Sequence, residues 1–298
     1  MTFVLAHLSD PHIGTPQWPR PREAFSKVGL EEAFWHFGRR RSFNMRLLER
    51  MVEDLKRQAT DHVAVTGDVV NAGLSSEFSH SGNWMSQLRE TYDLSFVPGN
   101  HDATTSHSAT KMQAAFSPWM TGDGQAAGEF PYLKVRGPLA LVGLSSAVPS
   151  PTFYATGLLG GEQLEKAALL LKDTQARQLC RVILIHHPPV AIKHQRRRGL
   201  VDHDMLDALI QTCGAELVLH GHQHESSLVH LRTPTGDVPV VGAPCASANP
   251  CSGQSAAGYN LFTFVRHGAG WSIEMRARRI DHATDMIVDD ARHGWQRP

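Results

Sequence analysis

Five short blocks rich in Asp, Asn and His punctuate this chain of 298 residues, each at the point where a predicted strand has just ended. They are Asp10-Pro11-His12, Gly67-Asp68, Gly99-Asn100-His101-Asp102, His186-His187-Pro188-Pro189 and Gly221-His222-Gln223-His224. Carboxylate, amide oxygen and imidazole are the groups that hold hard-to-borderline metal ions. Packing alone gives no reason to deliver them to the same end of so many strands. Ligands of open α/β sheets gather at the carboxyl ends of strands, so the fold must bring those ends together across more than half of the sequence.

The stretches between the blocks fit that demand. Apolar runs at 3–9, 62–66, 94–97, 182–185 and 216–219 predict strands that lead into the five blocks, with two more strands near 131–136 and 139–145. Leu47, Leu48, Met51, Val52 and Leu55 recur at helical spacing over 44–57. Helices are also expected at 77–90, at 161–178 (Leu164, Ala167, Ala168 and Leu171 on one face) and at 202–212. From 226 onward the pattern turns to period-two alternation, with strands at 228–232, 238–241, 259–265 and 271–278 around Pro-Thr-Gly-Asp and His-Gly-Ala-Gly turns. Alternating β and α followed by consecutive strands predicts an α/β fold in which two sheets meet face to face with helices outside. One domain is expected over 1–298, with a core at about 3–280, an insertion at about 15–43 and a poorly ordered tail after about 282.

Bulk composition limits the partners. With 29 basic and 29 acidic side chains the formal net charge is zero, so no global field draws the chain to nucleic acid or to a membrane. Cys180, Cys213, Cys245 and Cys251 form no CxxC pair, which argues against a cysteine metal site and for a reducing compartment. No basic leader or cleavage site precedes the first strand and no apolar run approaches membrane-spanning length, so a cytoplasmic protein without signal peptide is expected.

Alternate residues of an extended segment can reach one ion, which suits Asp10 with His12 and His222 with His224. Asp68 follows a glycine that permits a sharp turn, and one carboxylate there could bridge two cations. The donors suffice for two ions about 3.5–4 Å apart, the spacing at which paired metals acidify a shared water and stabilise a displaced oxygen. Any single block is weak; five in this order are not.

The blocks resemble the signature of the calcineurin-like metallophosphoesterases, D-x-H, G-D, G-N-H-[DE], H and G-H-x-H, and the resemblance covers about residues 3–280. It implies a four-layer αββα sandwich of two mixed β-sheets flanked by helices, with two metal ions (Mn, Zn or Fe) at its centre. By that resemblance Asp10, His12, Asp68 and His224 hold one metal, and Asp68 bridges to a second held by Asn100, His186 and His222. His186 is preferred to His187 because the family's ligand histidine stands two residues before a proline. His101 resembles the histidine that contacts the phosphoryl group or protonates the leaving oxygen, with Asp102 fixing its orientation. A hydroxide shared by the metals would attack phosphorus in line. In the purple acid phosphatase branch a tyrosine lies three residues after the bridging aspartate; here Asn71 stands there, so a purple ferric centre is not expected.

Outside the blocks, His7 reads as a core residue and His220 as either a structural residue or a support for the neighbouring ligands. Arg196, Arg197 and Arg198 follow the histidine-proline block; they are either a solvated run or, with His187, a cationic rim for an anionic substrate. The insertion at 15–43 carries Trp18, Phe25, Phe34, Trp35, Phe37 and Arg39 to Arg41. A lid or a dimer contact is favoured for it over contact with a lipid surface.

The expected function is a dinuclear metal-dependent phosphodiesterase with a small phosphorylated substrate, nearest to the bacterial cyclic nucleotide phosphodiesterase branch. The alternatives are a pyrophosphohydrolase of a nucleotide-sugar lipid, a broad phosphomonoesterase and, from another class, a metal-free protein-binding scaffold. No polymeric nucleic acid partner is expected, because no broad basic groove is evident.

Overall fold

The computed structural model describes residues 2–13, 27–249 and 255–297. Two six-stranded mixed sheets form its centre. The first contains β1 (Thr2–Leu8), β2 (His62–Val65) and β3 (Asp93–Phe96), paired in parallel, and is extended from β1 by antiparallel β10 (Gly258–His267), β11 (Gly270–Asp281) and β12 (Met286–Arg297). The second runs β4 (Tyr132–Arg136), β5 (Leu139–Gly143), β6 (Cys180–Leu184), β7 (Leu217–His220), β9 (Val238–Gly242) and β8 (Ser227–Leu231), with β5, β6, β7 and β9 parallel.

Side-chain alternation shows why the sheets stack. In β6 and β7, Val182, Leu184, Leu217 and Leu219 enter the core shared with the first sheet. Their neighbours Ile183 and Val218 point the other way, into a cluster with Leu164, Ala167 and Leu171 of α5 (Gly161–Ala176) and Leu206 and Ile210 of α7 (His203–Cys213). The central residues of these strands, buried on both faces, are apolar, as expected where helices cover a parallel sheet. On the far side, α2 (Met45–Lys56) and α3 (Ser75–Arg89) contribute Leu48, Met51, Leu55, Phe78 and Met85 to the larger core. The result is four layers, helices outside and sheets inside, as anticipated.

Three segments differ from expectation. The tail is ordered: β12 pairs with β11 from Met286 to Arg297, and Ile287, Ala291 and Trp295 pack against the core. Its many charges hid the alternation, and Asp289 is matched by Arg278 at 2.8 Å. The insertion holds α1 (Lys27–Phe37) and a 3₁₀ turn, Arg39–Ser42, with Trp35 buried and the Arg40 guanidinium 5.9 Å from its ring centroid. Trp18 and Phe25 lie outside the described residues. A helix absent from the sequence reading, α4 (Ser106–Phe116), is capped by the Thr105 hydroxyl, which accepts the Ser108 N–H. Among the described residues no helix is long and apolar enough to cross a membrane.

Candidate metal centre

The parallel strands of both sheets end at one place. Leaving β1 the chain presents Asp10 and His12, after β2 Asp68, after β3 Asn100 to Asp102, after β6 His186, and after β7 His222 and His224. Their donor atoms form two groups, Asp10 with His12 and His224, and Asp68 with His186 and His222. In the first, His12 Nε2 lies 3.2 Å from His224 Nε2, and His224 Nε2 lies 3.2 Å from Asp10 Oδ1. In the second, His186 Nε2 is 3.3 Å from Asp68 Oδ2, and His222 Nδ1 is 3.3 Å from His186 Nε2. Asn100 Oδ1 joins this group at 2.9 Å from His222 Nδ1 and 3.3 Å from His186 Nε2.

Backbone carbonyls decide which ring atoms face inward. His12 Nδ1 donates to Val70 O (3.2 Å) and His186 Nδ1 to Thr66 O (2.7 Å). Each bond turns the Nε2 atom to the pocket, the usual way a protein orients metal-binding imidazoles. His222 Nε2 is buried without a hydrogen bond, an arrangement that packing would not favour. Burial opposes ionisation of Asp10 and Asp68, but His224 and His186 respectively overcome it and hold both carboxyls below their ordinary range. His186 shows the complement: burial resists its charge, yet the Asp68 carboxylate raises it to about 9. These carboxylates call for positive charge among the nitrogens that face them, where a cation fits. The donor set, carboxylate, amide and imidazole with no thiolate, suits Mn, Zn or Fe.

The backbone is shaped to the same end. Of nine non-glycine residues with positive φ among those described, five are Asp10, His12, Asp68, His222 and His224, so strain is concentrated at this centre. Gly67 has φ +89°, and a Cβ there would come within 2.6 Å of His186 Nδ1 and the Gly99 amide nitrogen. Gly99 has no room either, since its Cβ would overlap the Asp68 carboxylate. Both glycines are required by the close approach of the two loops.

A cavity of about 340 Å³ opens over the donors, lined among others by Asp68, Asn100, His101, His222 and His224. His101 lines it, its ring centroid 5.2 Å from that of His12, and its backbone N–H donates to Asp68 Oδ1 at 2.8 Å. Asp102 has a place the sequence did not suggest. Its buried carboxylate accepts the N–H groups of Asp68 and Gly99 (both 2.8 Å), Val69 (3.0 Å) and Val70 (3.1 Å). It therefore ties the loop after β2 to the loop after β3. Burial and then the Asp68 charge push Asp102 up to about 7, and the N–H donors work against that.

His187 likewise is not on the cavity surface. It is fully buried, with Nδ1 2.8 Å from Ser146 Oγ and Nε2 3.2 Å from Ala155 O, and its ring packs 4.4 Å from that of His222. Of the three arginines only Arg198 lines the cavity; Arg196 and Arg197 are exposed elsewhere on α6 (Gln195–Arg198). His7 is buried against Thr66 Oγ1 (2.9 Å), and burial lowers it to about 3. His220 is buried and lowered to about 4 for the same reason. Sequence reasoning missed Phe43, whose ring lies 4.4 Å from His12, and Ser9, whose hydroxyl donates to Asp10 Oδ2 at 2.6 Å. It also missed Cys245, which donates to the Asp10 carbonyl at 3.0 Å. Only adjacency to a block could have flagged Ser9; nothing local flags the other two.

Comparison with known proteins agrees with this geometry. No curated protein matches this sequence. A dimetal phosphatase from Danio rerio shares the fold at 11% identity and TM-score 0.60, over 97% of this chain and 99% of that one. The purple acid phosphatase of yellow lupin (Lupinus luteus) seeds shares it at 13% identity and TM-score 0.61, over 99% of this chain, which spans 53% of that enzyme. The NAD nucleotidase of Haemophilus influenzae matches at 12% identity and TM-score 0.51, over 98% of this chain and 60% of that one. The sequence model for calcineurin-like phosphoesterases matches residues 3–226, well over half of the chain, and the chain belongs to that family.

Proposed function

We propose that this chain is a dinuclear metal-dependent phosphodiesterase. The observation that carries the reading is the pair of donor groups beneath one cavity, each with one imidazole, His12 or His186, held by a backbone carbonyl so that its Nε2 faces the other donors. Asp10, His12 and His224 would hold one ion; Asn100, His186 and His222 would hold the other, with Asp68 between them. When bound, two such ions supply Lewis acidity toward phosphoryl oxygens and an acidified water.

The chain's own groups account for the rest. His101, which lines the cavity, would contact a phosphoryl oxygen or give a proton to the departing alkoxide. Its backbone N–H holds Asp68 Oδ1, so the same residue keeps the carboxylate aimed. The Ser9 hydroxyl and the His222 N–H both donate to Asp10 Oδ2, which leaves Oδ1 for the ion. The cavity has cationic side chains only from Lys27 and Arg198 among its described lining residues. A dianionic monoester would call for more positive charge near the phosphorus, and this favours the monoanionic diester. The three buried free cysteines among the described residues suit a reducing, cytoplasmic setting.

The test is to strip the protein with chelator and reload it with Mn, Zn or Fe. Metal stoichiometry and turnover of an aryl phosphodiester and an aryl phosphomonoester are then measured. Two ions per chain and preferential diester cleavage are expected, and His101→Ala should keep both ions while losing about 100-fold or more in kcat. Fewer than two ions, or faster monoester cleavage, would overturn the reading.

A further inference from the structure

Above the donor groups the cavity wall is made by residues 153–155, together with Lys27 and Arg198. This wall is unusually fixed for a surface segment. The Ala155 N–H donates to Arg197 O (2.8 Å), the Gly157 N–H to Gly199 O (3.2 Å) and the Leu158 N–H to Ser146 O (3.0 Å). The Lys27 ammonium donates to Ser150 O at 2.6 Å, and the Ser150 hydroxyl to Tyr154 O at 2.7 Å. His187 Nε2–H reaches Ala155 O while the same ring packs on ligand residue His222, so the wall stands on the metal centre itself.

At its crest the Tyr154 N–H closes a turn on Pro151 O at 3.0 Å, and the third residue of that turn, Phe153, has φ +67°. Glycine or asparagine is usual at such a position; a bulky aromatic there is a steric outlier. Phe153 is nevertheless 68% exposed and Tyr154 40% exposed, both lining the cavity. Two aromatic side chains thus reach the cavity side by side, one of them from strained backbone.

We infer that Phe153 and Tyr154 form a stacking subsite for a planar aromatic group of the substrate, next to the phosphoryl position, with Arg198 on its rim. The inference rests on the phosphoester reading and specifies the organic part of the ester. A preordered wall loses little entropy when it engages a ring, and aromatic platforms accept any flat π-face. The shared chemistry is a phosphate ester carrying an aromatic ring, either a simple aryl group or a nucleobase.

Binding is the decisive readout, because it needs no turnover. Calorimetry on the manganese-loaded chain would compare phenylphosphonate with methylphosphonate, and AMP with ribose 5-phosphate. The wild-type chain should prefer phenylphosphonate by at least about fivefold, and the preference should collapse in Phe153→Gly and in the double variant Phe153→Ala, Tyr154→Ala. Phe153→Gly serves also as the folding control, since glycine accepts the left-handed backbone and its unfolding midpoint should not fall. A Phe153-dependent preference for AMP identifies a nucleobase; one confined to phenylphosphonate identifies a simple aryl group. A preference that survives both variants, or equal wild-type affinity for the two phosphonates, overturns the subsite. Failure of the wild-type chain to bind either phosphonate overturns the phosphoester reading, and the subsite with it.

Discussion

The substitution Asp102→Asn separates two accounts of one residue. The carboxylate receives four backbone N–H groups: Asp68 and Gly99 on Oδ2, Val69 and Val70 on Oδ1. Asparagine offers one oxygen and one NH₂ group. Whichever way the amide is turned, two backbone donors lose their acceptor and face another donor in a fully buried site. Each buried donor left unsatisfied costs about 1–3 kcal/mol, so the pair costs about 2–6 kcal/mol, a large share of the roughly 5–15 kcal/mol that separates folded from unfolded states.

Urea unfolding of the metal-free protein measures this directly. For a chain of this size, with a slope near 3 kcal/mol per molar, the expected loss lowers the midpoint by about 0.7–2 M. Two of the four donors belong to Asp68 and Gly99, so the loop that carries Asp68 should also loosen, and affinity for the ions should drop. If Asp102 served only to orient His101, the variant would lose turnover at unchanged stability and unchanged metal affinity. A midpoint within about 0.2 M of wild type, with full metal stoichiometry, would refute the cross-loop role.

Two further outcomes follow from buried groups outside the centre. His62 Nε2 lies 2.9 Å from Ser95 Oγ, and burial pushes its pKa down to about 3, with Asp93 opposing. The folded state therefore binds fewer protons than the unfolded one below about pH 6.5, so this contribution to stability is present above that pH and is lost on acidification toward pH 3. The slope is at most about 1.4 kcal/mol per pH unit, and His62→Gln should flatten the measured dependence below pH 6 by about 1 kcal/mol per unit; an unaltered slope would contradict it. Glu216 accepts from Arg181 Nη2 (2.7 Å), Nε (3.0 Å) and backbone N (2.6 Å), all buried. Glu216→Gln should destabilise by about 3–5 kcal/mol by stranding the guanidinium, while the double change Arg181→Met, Glu216→Leu should cost less; equal costs in thermal unfolding would show that the pair is not coupled.

The sequence exposed the fold where periodicity was strong. The apolar strands that feed the five blocks and the Leu47 to Leu55 stripe were legible because burial on one or both faces dictates residue type. The last strand was not, because Met286–Arg297 is an edge strand whose exposed positions carry Asp289, Asp290, Arg292 and His293. Helix α4 was not, because its start is signalled by a Thr105 cap and its apolar face by only Met112 and Phe116. The identities of the candidate metal-binding residues were legible as blocks, yet the cross-loop hydrogen bonds of Asp102 and the burial of His187 were not. Both act on partners from other strands, at sequence separations no local pattern encodes.

The left-handed backbone at Asp10, His12, Asp68, His222 and His224 was the least legible feature, and its physical cause is informative. None of these residues prefers positive φ as glycine does, so local propensity opposes the observed conformation at each of them. The opposition is met by hydrogen bonds between loops: the Asp10 N–H to Gly67 O (3.1 Å), the His12 N–H to Asp68 O (3.1 Å), the Ile13 N–H to Val69 O (2.7 Å) and the His222 N–H to Asp10 Oδ2 (3.0 Å). The Asp102 carboxylate then fixes the second loop from beneath. Donor geometry in this protein is thus a tertiary property, set by how the parallel strands of the two sheets end against one another. It follows that loosening any one of these loops should disturb donors on the others.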